Sequence, residues 1–222
     1  MLLPVVVYFV VFSYYPMGLG VINSFFKIKL LGGSQFTGMD NYIQVLENKQ
    51  YQRALINSLV VGGGTFILQF VWGLVIAVFL NEIRNKVAKS FLQTVTYIPY
   101  LLSWSVVGGL WITIFSPSGM INGILKLIMG AEFKPIVFMA EPAFARPIMI
   151  FIGAWKGAGY FAALFLAAIV SLDSSVYESA QMDGASRWQQ IVKITIPQLV
   201  PTMKIVTVLS AMGILRNFDQ IY

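Results

Sequence analysis

The chain has 222 residues, of which 58% are apolar and only 11% are charged, and its formal net charge is +6. Soluble globular domains carry about 25% charged residues, so this composition indicates a surface that faces lipid. Cysteine and histidine are both absent, which excludes disulfides, thiolate metal sites and the commonest general base. The 15 Lys and Arg residues form no basic run, so we expect them to serve lipid headgroups and membrane orientation, with no nucleic-acid partner.

Five apolar stretches are long enough to cross a bilayer as helices, which takes about 20 residues each. Apolar and polar residues do not alternate in them, which excludes membrane β-strands, so we expect an all-α fold, a polytopic membrane helix bundle. The first stretch is too long for a signal peptide and lacks a basic leader, and Pro16 predicts a kink in it. The stretches run from about Leu2 to Phe26, Leu59 to Leu80, Phe91 to Phe115, Pro147 to Leu172 and Pro197 to Leu215.

The connections between these stretches do not settle the orientation. The first includes an amphipathic piece, Asn41 to Leu46, and the third opens with a Ser-Pro-Ser-Gly turn at Ser116. Connections one and three together carry seven Lys and Arg residues and connections two and four carry five, which would place one and three inside. The short second connection, Asn81 to Ser90, is the densest in basic residues and argues the reverse.

The fourth connection, Ser171 to Ile196, is too polar to span a membrane but has helical features. Asp173 can cap a helix that covers Val176 to Met182, with the two serines that follow it as further capping candidates. Gly184 fits the position after a helix end, where the backbone is left-handed. Pro197 fits the first turn of the next membrane helix, where its missing N–H costs nothing.

A second short helix is expected at Arg187 to Ile194, with Trp188, Ile191 and Val192 on one face. Trp188 and Ile191 can contact a partner or seal the connection onto the membrane. The connection then forms a helix-turn-helix at the membrane surface, and such an element can dock into a groove on a soluble partner. Glu178, near its start, can pair with an arginine of that partner.

Residues of this connection follow a fixed spacing that resembles a family motif. The motif reads Glu-Ala-Ala, three residues, Gly, nine residues, Ile, one residue and Leu-Pro, and it marks the cytoplasmic coupling loop of binding-protein-dependent ABC permeases. The chain departs from it conservatively, with Ser179 for alanine and Ile196 for leucine. The matching residues are Glu178, Ser179, Ala180, Gly184, Ile194, Ile196 and Pro197, and the flanking Tyr177, Asp183, Ala185 and Pro201 also look like the family.

The resemblance covers nearly the whole chain and is strongest to permeases that import oligosaccharides or polysaccharide fragments. It is carried by the opening LLPVVVYFVVFSYYPM, by the segment Leu80 to Leu110 and by Trp155-Lys156-Gly-Ala-Gly. The end, Asn217 to Tyr222, resembles the part before the family's last external loop. The resemblance implies one permease domain, 1–222, with a coupling loop at 173–197 and with five of the six spans of the intact protein.

The resemblance also implies the partners and the orientation. A second permease subunit would complete a heterodimer in the plasma membrane, an extracytoplasmic binding protein would deliver a carbohydrate, and connections two and four would be cytoplasmic. ATPase subunits would dock on the coupling loop and bind ATP and magnesium. The chain has no GxxxxGK phosphate loop, so we expect neither a cofactor nor an enzymatic activity in it. The coupling residues are expected to be Glu178, Ser179, Ala180, Asp183, Gly184, Ala185, Ile194 and Pro197.

Candidates for the substrate path are an intramembrane lysine, several aromatic residues and a polar cluster. A cation at the bilayer centre costs roughly 3 kcal/mol or more, so Lys156 should face a cavity or a partner unless it snorkels to the surface. The aromatic residues can stack on sugar rings, or can pack and form interfacial belts. The cluster, Arg216 to Gln220, can bind sugar, close an outer gate or be a solvated helix end. The path candidates are Tyr97, Trp104, Trp155, Lys156, Tyr160, Asn217 and Asp219.

Two rival functions are disfavoured and one stays open. A secondary transporter usually couples to protons through buried carboxylates or histidines, and the first four stretches contain none. An intramembrane enzyme lacks an acid–base or nucleophilic constellation. An ABC permease for a different solute stays open, because the coupling loop does not define the solute.

Overall fold

The chain is largely helical and separates into two units, Met1–Ile56 and Asn57–Tyr222. The computed structural model describes residues 2–28, 33–130, 132–211 and 213.

The first unit begins with an apolar helical run. Helix α1 covers Leu3–Phe9, helix α2 covers Tyr15–Asn23, and Val10–Tyr14 between them form a π-helical turn. Pro16, in the first turn of α2, has no N–H to donate to the carbonyl four residues earlier, and a π turn is one of the ways a helix accommodates such a defect. The irregularity therefore lies where the sequence predicted a kink.

A strand pair and a short helix complete this unit. Strands β1, Phe26–Lys27, and β2, Gln35–Phe36, pair antiparallel, which the sequence did not predict. Helix α3, Asp40–Glu47, confirms the predicted amphipathic piece. Asn41 holds the start of α3 in place, because its Nδ2 donates to the backbone carbonyl of Ser24 at 2.8 Å.

Long helices dominate the second unit. Helix α4, Lys49–Glu82, crosses the boundary between the two units and has 34 residues, more than the roughly 20 that a bilayer requires. The helices after it are α5, Lys86–Leu101; α6, Trp104–Phe115; α7, Met120–Met129; α8, Pro142–Val170; α9, Ser174–Met182; α10, Arg187–Gln190; α11, Ile196–Gln198; and α12, Val200–Ala211.

The expectation of an all-α membrane bundle with five spans agrees with the length and hydropathy of these helices. In the described residues, four helical runs are long and apolar enough to cross a membrane, and a bent helix pair makes a fifth. The four runs are Leu3–Asn23, Lys49–Glu82, Trp104–Met129 and Pro142–Val170, and the pair is Arg187–Gln198 with Val200–Ala211.

The third predicted span is wrong as a single helix. The stretch Phe91 to Phe115 falls on α5 and α6, which are separated by the extended residues Leu102 and Ser103. Pro99 weakens the last turn of α5, because it has no N–H for the helical bond. Ser103 then starts a new helix, since its hydroxyl accepts from the Val106 N–H at 3.3 Å.

The predicted start of the fifth span is also wrong. The helical run begins at Arg187, passes through a π turn at Ile191–Thr195 and continues to Gln198, so no break separates the predicted helix Arg187 to Ile194 from Pro197. The π turn lies just before Pro197, whose missing N–H it accommodates. The run then bends by 54° before Val200.

Helix α8 lies at the centre of the second unit, with α4, α5 and α12 packed against it. Phe165 of α8 is fully buried, and its ring meets Phe70 of α4 edge-on at 5.2 Å between centroids. The buried cluster joins α4, α8, α12 and the bend before α12. Its members are Ala77, Leu80, Phe161, Phe165, Leu166, Ile169, Leu199 and Val206.

Glycines allow the backbones in this unit to approach closely. A Cβ on Gly159 of α8 would overlap the Thr96 carbonyl oxygen of α5, and a Cβ on Gly73 of α4 would overlap the Phe161 side chain. A Cβ on Gly157 would overlap the amide of Gln69, whose Nε2 donates to the Gly153 carbonyl at 2.8 Å. Small residues at such contacts are typical of membrane helix pairs.

We predict that Gly159→Ala destabilises the permease, because the added methyl group meets backbone atoms that cannot rotate away. Overpacking of this kind costs about 1–3 kcal/mol, so the thermal unfolding midpoint in detergent should fall. Gly109→Ala is the matched control, since nothing lies within 4 Å of a Cβ at that position of α6. Equal midpoints for the two variants would contradict the close α5–α8 contact.

Candidate functional site

The segment from Asp173 to Pro197, which we call the coupling segment, begins with a capped helix. The Asp173 side chain accepts a hydrogen bond from the Ser175 N–H at 2.9 Å, which confirms Asp173 as the predicted cap of α9. Hydrogen bonds from Ser175 hold the pKa of the Asp173 carboxyl below its usual value. The negative charge also lies at the positive end of the helix dipole, so the cap fixes where α9 starts.

Helix α9 ends in a glycine turn. The Ala185 N–H donates to the Ala180 carbonyl at 2.9 Å, and the Gly184 N–H donates to the Gln181 carbonyl at 3.0 Å, which is the Schellman pattern. Gly184 has φ +78°, a left-handed conformation that costs other residues free energy. The predicted role of Gly184 after a helix end is confirmed.

A capping box then starts the second arm, α10. The Ser186 hydroxyl accepts from the Gln189 N–H at 3.3 Å, and the Gln189 side chain accepts from the Ser186 N–H at 2.8 Å. Sequence reasoning missed this pair, although a serine followed three residues later by a glutamine is its usual signal. The turn between α9 and α10 is therefore fixed on both sides.

Two hydrogen bonds hold the coupling segment together, the first between its arms and the second between α10 and the glycine turn. The Tyr177 and Thr195 hydroxyl oxygens lie 2.9 Å apart and share a hydrogen bond between α9 and the π turn. Gln190, which is buried, donates from Nε2 to the Ala185 carbonyl at 3.1 Å. Since Thr195 is buried as well, these bonds are shielded from competing water, and the segment forms one unit with the start of the last span.

A groove of about 330 Å³ lies between the coupling segment and the end of α4. Glu82 of α4 and Glu178 of α9 line it together with Arg187 of α10, so both signs of charge are present. The lining residues are Asn81, Glu82, Ile169, Leu172, Ser174, Tyr177, Glu178, Gln181, Arg187, Gln190, Ile191 and Thr195.

Most of the predicted coupling residues lie at the surface. The side chains of the neighbouring Met182 and Trp188 are 89% and 72% exposed, so the segment also presents apolar surface. Trp188 is exposed, whereas Ile191, three residues further on, is half-buried and lines the groove. Glu178, Ser179, Asp183, Gly184 and Pro197 are exposed, and Ala180, Ala185 and Ile194 are half-buried.

Four of the seven candidate path residues meet around Tyr100, where α5 and α6 face α8. The Tyr100 and Tyr160 rings stack with centroids 4.8 Å apart, and Tyr97 lies 5.5 Å from Tyr100. The Lys156 ammonium group lies 5.3 Å from the Trp104 ring and 5.5 Å from the Tyr100 ring. Sequence reasoning missed Tyr100, which its spacing of three residues from Tyr97 on one helix could have indicated.

The other three path candidates do not belong to this group. Trp155 packs edge-on against Trp111 of α6, with ring centroids 5.5 Å apart. Phe151, one turn earlier in α8, also contacts the Trp111 ring edge-on. Asn217 and Asp219, with the rest of the cluster Arg216 to Gln220, lie outside the described residues.

Long apolar helices, several of them able to span a bilayer, define the chain as a multi-span α-helical membrane protein. Residues 69–222 match the family described as binding-protein-dependent transport system inner membrane component, and the chain belongs to that family. The family resemblance that the coupling-segment motif suggested is thereby confirmed, and so is the location in the membrane.

Relatives and solved structures agree with this assignment. The chain is 33% identical to protein LplB of Bacillus subtilis (strain 168) over 227 residues, covering 100% of this chain and 70% of LplB. It is 31% identical to the polygalacturonan/rhamnogalacturonan transport system permease protein YteP of the same organism, with the same coverage. A crystal structure of a bacterial ABC transporter involved in import of the acidic polysaccharide alginate has a chain that superposes with a TM-score of 0.86 at 35% identity, covering 99% of this chain and 73% of that one.

We predict that the second connection and the coupling segment face the cytoplasm. The chain has no cysteine, so a single cysteine introduced in place of Arg84, Met182 or Ser118 is the only thiol that a reagent can label in this chain. All three side chains are exposed in the structure. In intact cells an impermeant thiol reagent should label only the Ser118 variant, and permeabilised cells, as the control, should show labelling of all three. Labelling of Arg84→Cys and Met182→Cys in intact cells would contradict the predicted orientation and indicate the opposite one.

Proposed function

We propose that the chain is the membrane-spanning subunit of an ATP-driven importer that moves a carbohydrate, an oligosaccharide or polysaccharide fragment, across the plasma membrane. The family supports the role of membrane component in binding-protein-dependent transport, and the relative YteP and the alginate transporter support the carbohydrate class. A second solved structure, of the bacterial alginate ABC transporter in complex with an alginate pentasaccharide-bound periplasmic protein, supports a binding-protein partner, because one of its chains superposes on this chain with a TM-score of 0.85.

ATP hydrolysis is assigned to separate ATPase subunits that bind ATP and magnesium and dock on the coupling segment. The observation that carries this assignment is the exposed, doubly capped segment itself. Glu178 presents a carboxylate on α9, and Met182 and Trp188 present apolar side chains beside it. A rigid surface that combines apolar anchors with a charge fits a groove on a soluble partner better than a flexible loop would.

The covalent layout of the segment explains how docking moves the membrane helices. Only three residues separate the end of α8 from the start of α9, and the second arm runs without a break into Gln198. The Tyr177–Thr195 hydrogen bond ties the two arms together. A partner that grips α9 therefore pulls on α8 and on the last span at once, and nucleotide binding can shift the equilibrium between inward-facing and outward-facing states.

The path would be completed by a second permease subunit, in a heterodimer. The aromatic group around Tyr100 supports a carbohydrate cargo, because the exposed parts of Tyr100 and Tyr160 offer stacked ring faces with hydroxyl groups. ATP-driven uptake of labelled oligosaccharides, neutral and acidic, into proteoliposomes that contain the assembled importer tests the cargo. Uptake of a non-sugar solute with no saccharide uptake would assign a different ABC importer.

We predict that Glu178→Lys and Gly184→Val each weaken binding of the ATPase subunits. The first reverses a charge at the docking surface, and the second places a β-branched residue at φ +78° and so distorts the turn. Co-purification of the ATPase should fall about tenfold or more, since a lost charge-assisted contact costs about 1.5–3 kcal/mol. Substrate-stimulated hydrolysis should fall with it, while membrane insertion is unchanged.

Two variants in the third connection are matched controls for this prediction. Gly130→Val strains a glycine at φ +93°, and Glu132→Lys reverses an exposed charge, both outside the coupling segment. Each control should retain the ATPase. Retention of the ATPase and of full stimulation by both coupling-segment variants would contradict the docking assignment.

A further inference from the structure

The third predicted span is broken where it crosses the middle of α8. Leu102 and Ser103 are extended, with ψ of 142° and 154°, between the end of α5 and the start of α6. The last carbonyls of α5 have no following helical turn to donate to them, and the Leu102 N–H donates to the Pro99 carbonyl at 3.3 Å, one residue short of Tyr100. Tyr100, in this last turn, therefore requires a donor from another part of the chain.

Lys156 of α8 supplies that donor. Its Nζ donates to the Tyr100 carbonyl oxygen at 2.8 Å, and the ammonium group lies over the rings of Tyr100 and Trp104 on either side of the break. The residue is only 8% exposed. The ammonium group therefore has its partners within the chain, at the break between α5 and α6.

The charge of Lys156 matches the electrostatics of the break. The C-terminal end of α5 carries the negative end of a helix dipole, and cations are stabilised there. The sequences of α5, α6 and α8 contain no Asp or Glu, so within these helices the ammonium group depends on the carbonyl and on the two rings. Gly157 and Gly159 follow the lysine in α8, and a Cβ at these positions would overlap the Gln69 amide of α4 and the Thr96 carbonyl of α5, so α8 lies close to both neighbours directly after Lys156.

We propose that Lys156 is a positioning residue that holds the α5–α6 break in register with α8 and does not itself contact the carbohydrate. It acts through Tyr100, whose ring stacks on Tyr160, and so sets the geometry of the aromatic group at the surface of the second unit. The proposal rests on the proposed function only in the uptake experiment described below. It is an alternative to the expectation that Lys156 lines the substrate path, and it is supported by the carbonyl and the two rings that the buried ammonium group already has as partners.

Spin labels across the break test the positioning role without any substrate. Cysteines replace Phe91 of α5 and Ile112 of α6, whose side chains are 66% and 60% exposed, in a chain that has no other cysteine. The two sites are 21 residues apart, and a continuous helix of that length would be about 30 Å long, a distance range that electron–electron double resonance measures well. The labelled permease is studied as part of the assembled importer in lipid nanodiscs.

Lys156→Met keeps the length and the apolar stem but cannot donate, so the distance distribution should shift or broaden. Lys156→Arg keeps a donor and a charge and should restore the native distribution. Lys204→Met is the matched control, because Lys204 is an exposed lysine in α12. An unchanged distribution in Lys156→Met would overturn the proposal. Should Lys156→Met fail to assemble, Lys156→Leu, which likewise cannot donate, is measured with the same criterion.

Uptake kinetics separate positioning from substrate contact. Loss of one charge-assisted hydrogen bond corresponds to about tenfold or more, so uptake by Lys156→Met should fall by that factor and Lys156→Arg should restore it. A raised KM with an unchanged rate and an unchanged label distance would assign Lys156 to the substrate and overturn the proposal. Absence of saccharide uptake by the native importer would contradict the proposed function alone, because the label distances are read independently of transport.

Discussion

Close backbone contact between α8 and its neighbours is the constraint on which the rest of the second unit depends. In lipid, apolar side chains gain little by leaving their solvent, so helices associate through van der Waals packing and hydrogen bonds, and small residues are needed where backbones meet. Gly159 brings α5 against α8, Gly73 brings α4 against it, and Gly157 leaves room for the Gln69 amide to reach the Gly153 carbonyl. These contacts set the register between helices, and the position of Lys156 opposite the α5–α6 break follows from that register.

The same central helix links the membrane to the coupling segment. Leu166 and Ile169, in the last turns of α8, pack in one cluster with Leu199 at the bend before α12. The two helices that flank the coupling segment are therefore held together by this packing. The Tyr177–Thr195 hydrogen bond joins them a second time, through the segment itself. A displacement of the segment is therefore transmitted to a packed pair of helices. Packed interfaces of this kind tend to switch between discrete arrangements rather than deform gradually, which suits an alternating-access cycle.

Sequence reasoning succeeded where structure is decided by neighbouring residues. The Asp173 cap, the left-handed Gly184 and the extent of α9 follow from rules that need only a few adjacent positions, and the family motif confirmed by residues 69–222 has a fixed spacing. The start of the last span was misplaced because Pro197 reads as a first-turn residue by those same rules. The chain instead absorbs this proline in the π turn Ile191–Thr195, and the buried Gln190 and Thr195 stabilise that alternative through contacts that local patterns do not encode.

The intramembrane lysine shows why the site could be predicted only in part. A cation in an apolar stretch is conspicuous in a sequence, since its burial is costly, and Lys156 was singled out for that reason. Its principal partner is a backbone carbonyl, a group that every residue carries, so no residue type could identify it. The carbonyl becomes available only because α5 ends at Leu101, and it is within reach only because Gly159 lets α5 and α8 approach. The polar chemistry of the site is thus a consequence of helix packing, and helix packing was the part of the fold that composition and spacing left undetermined.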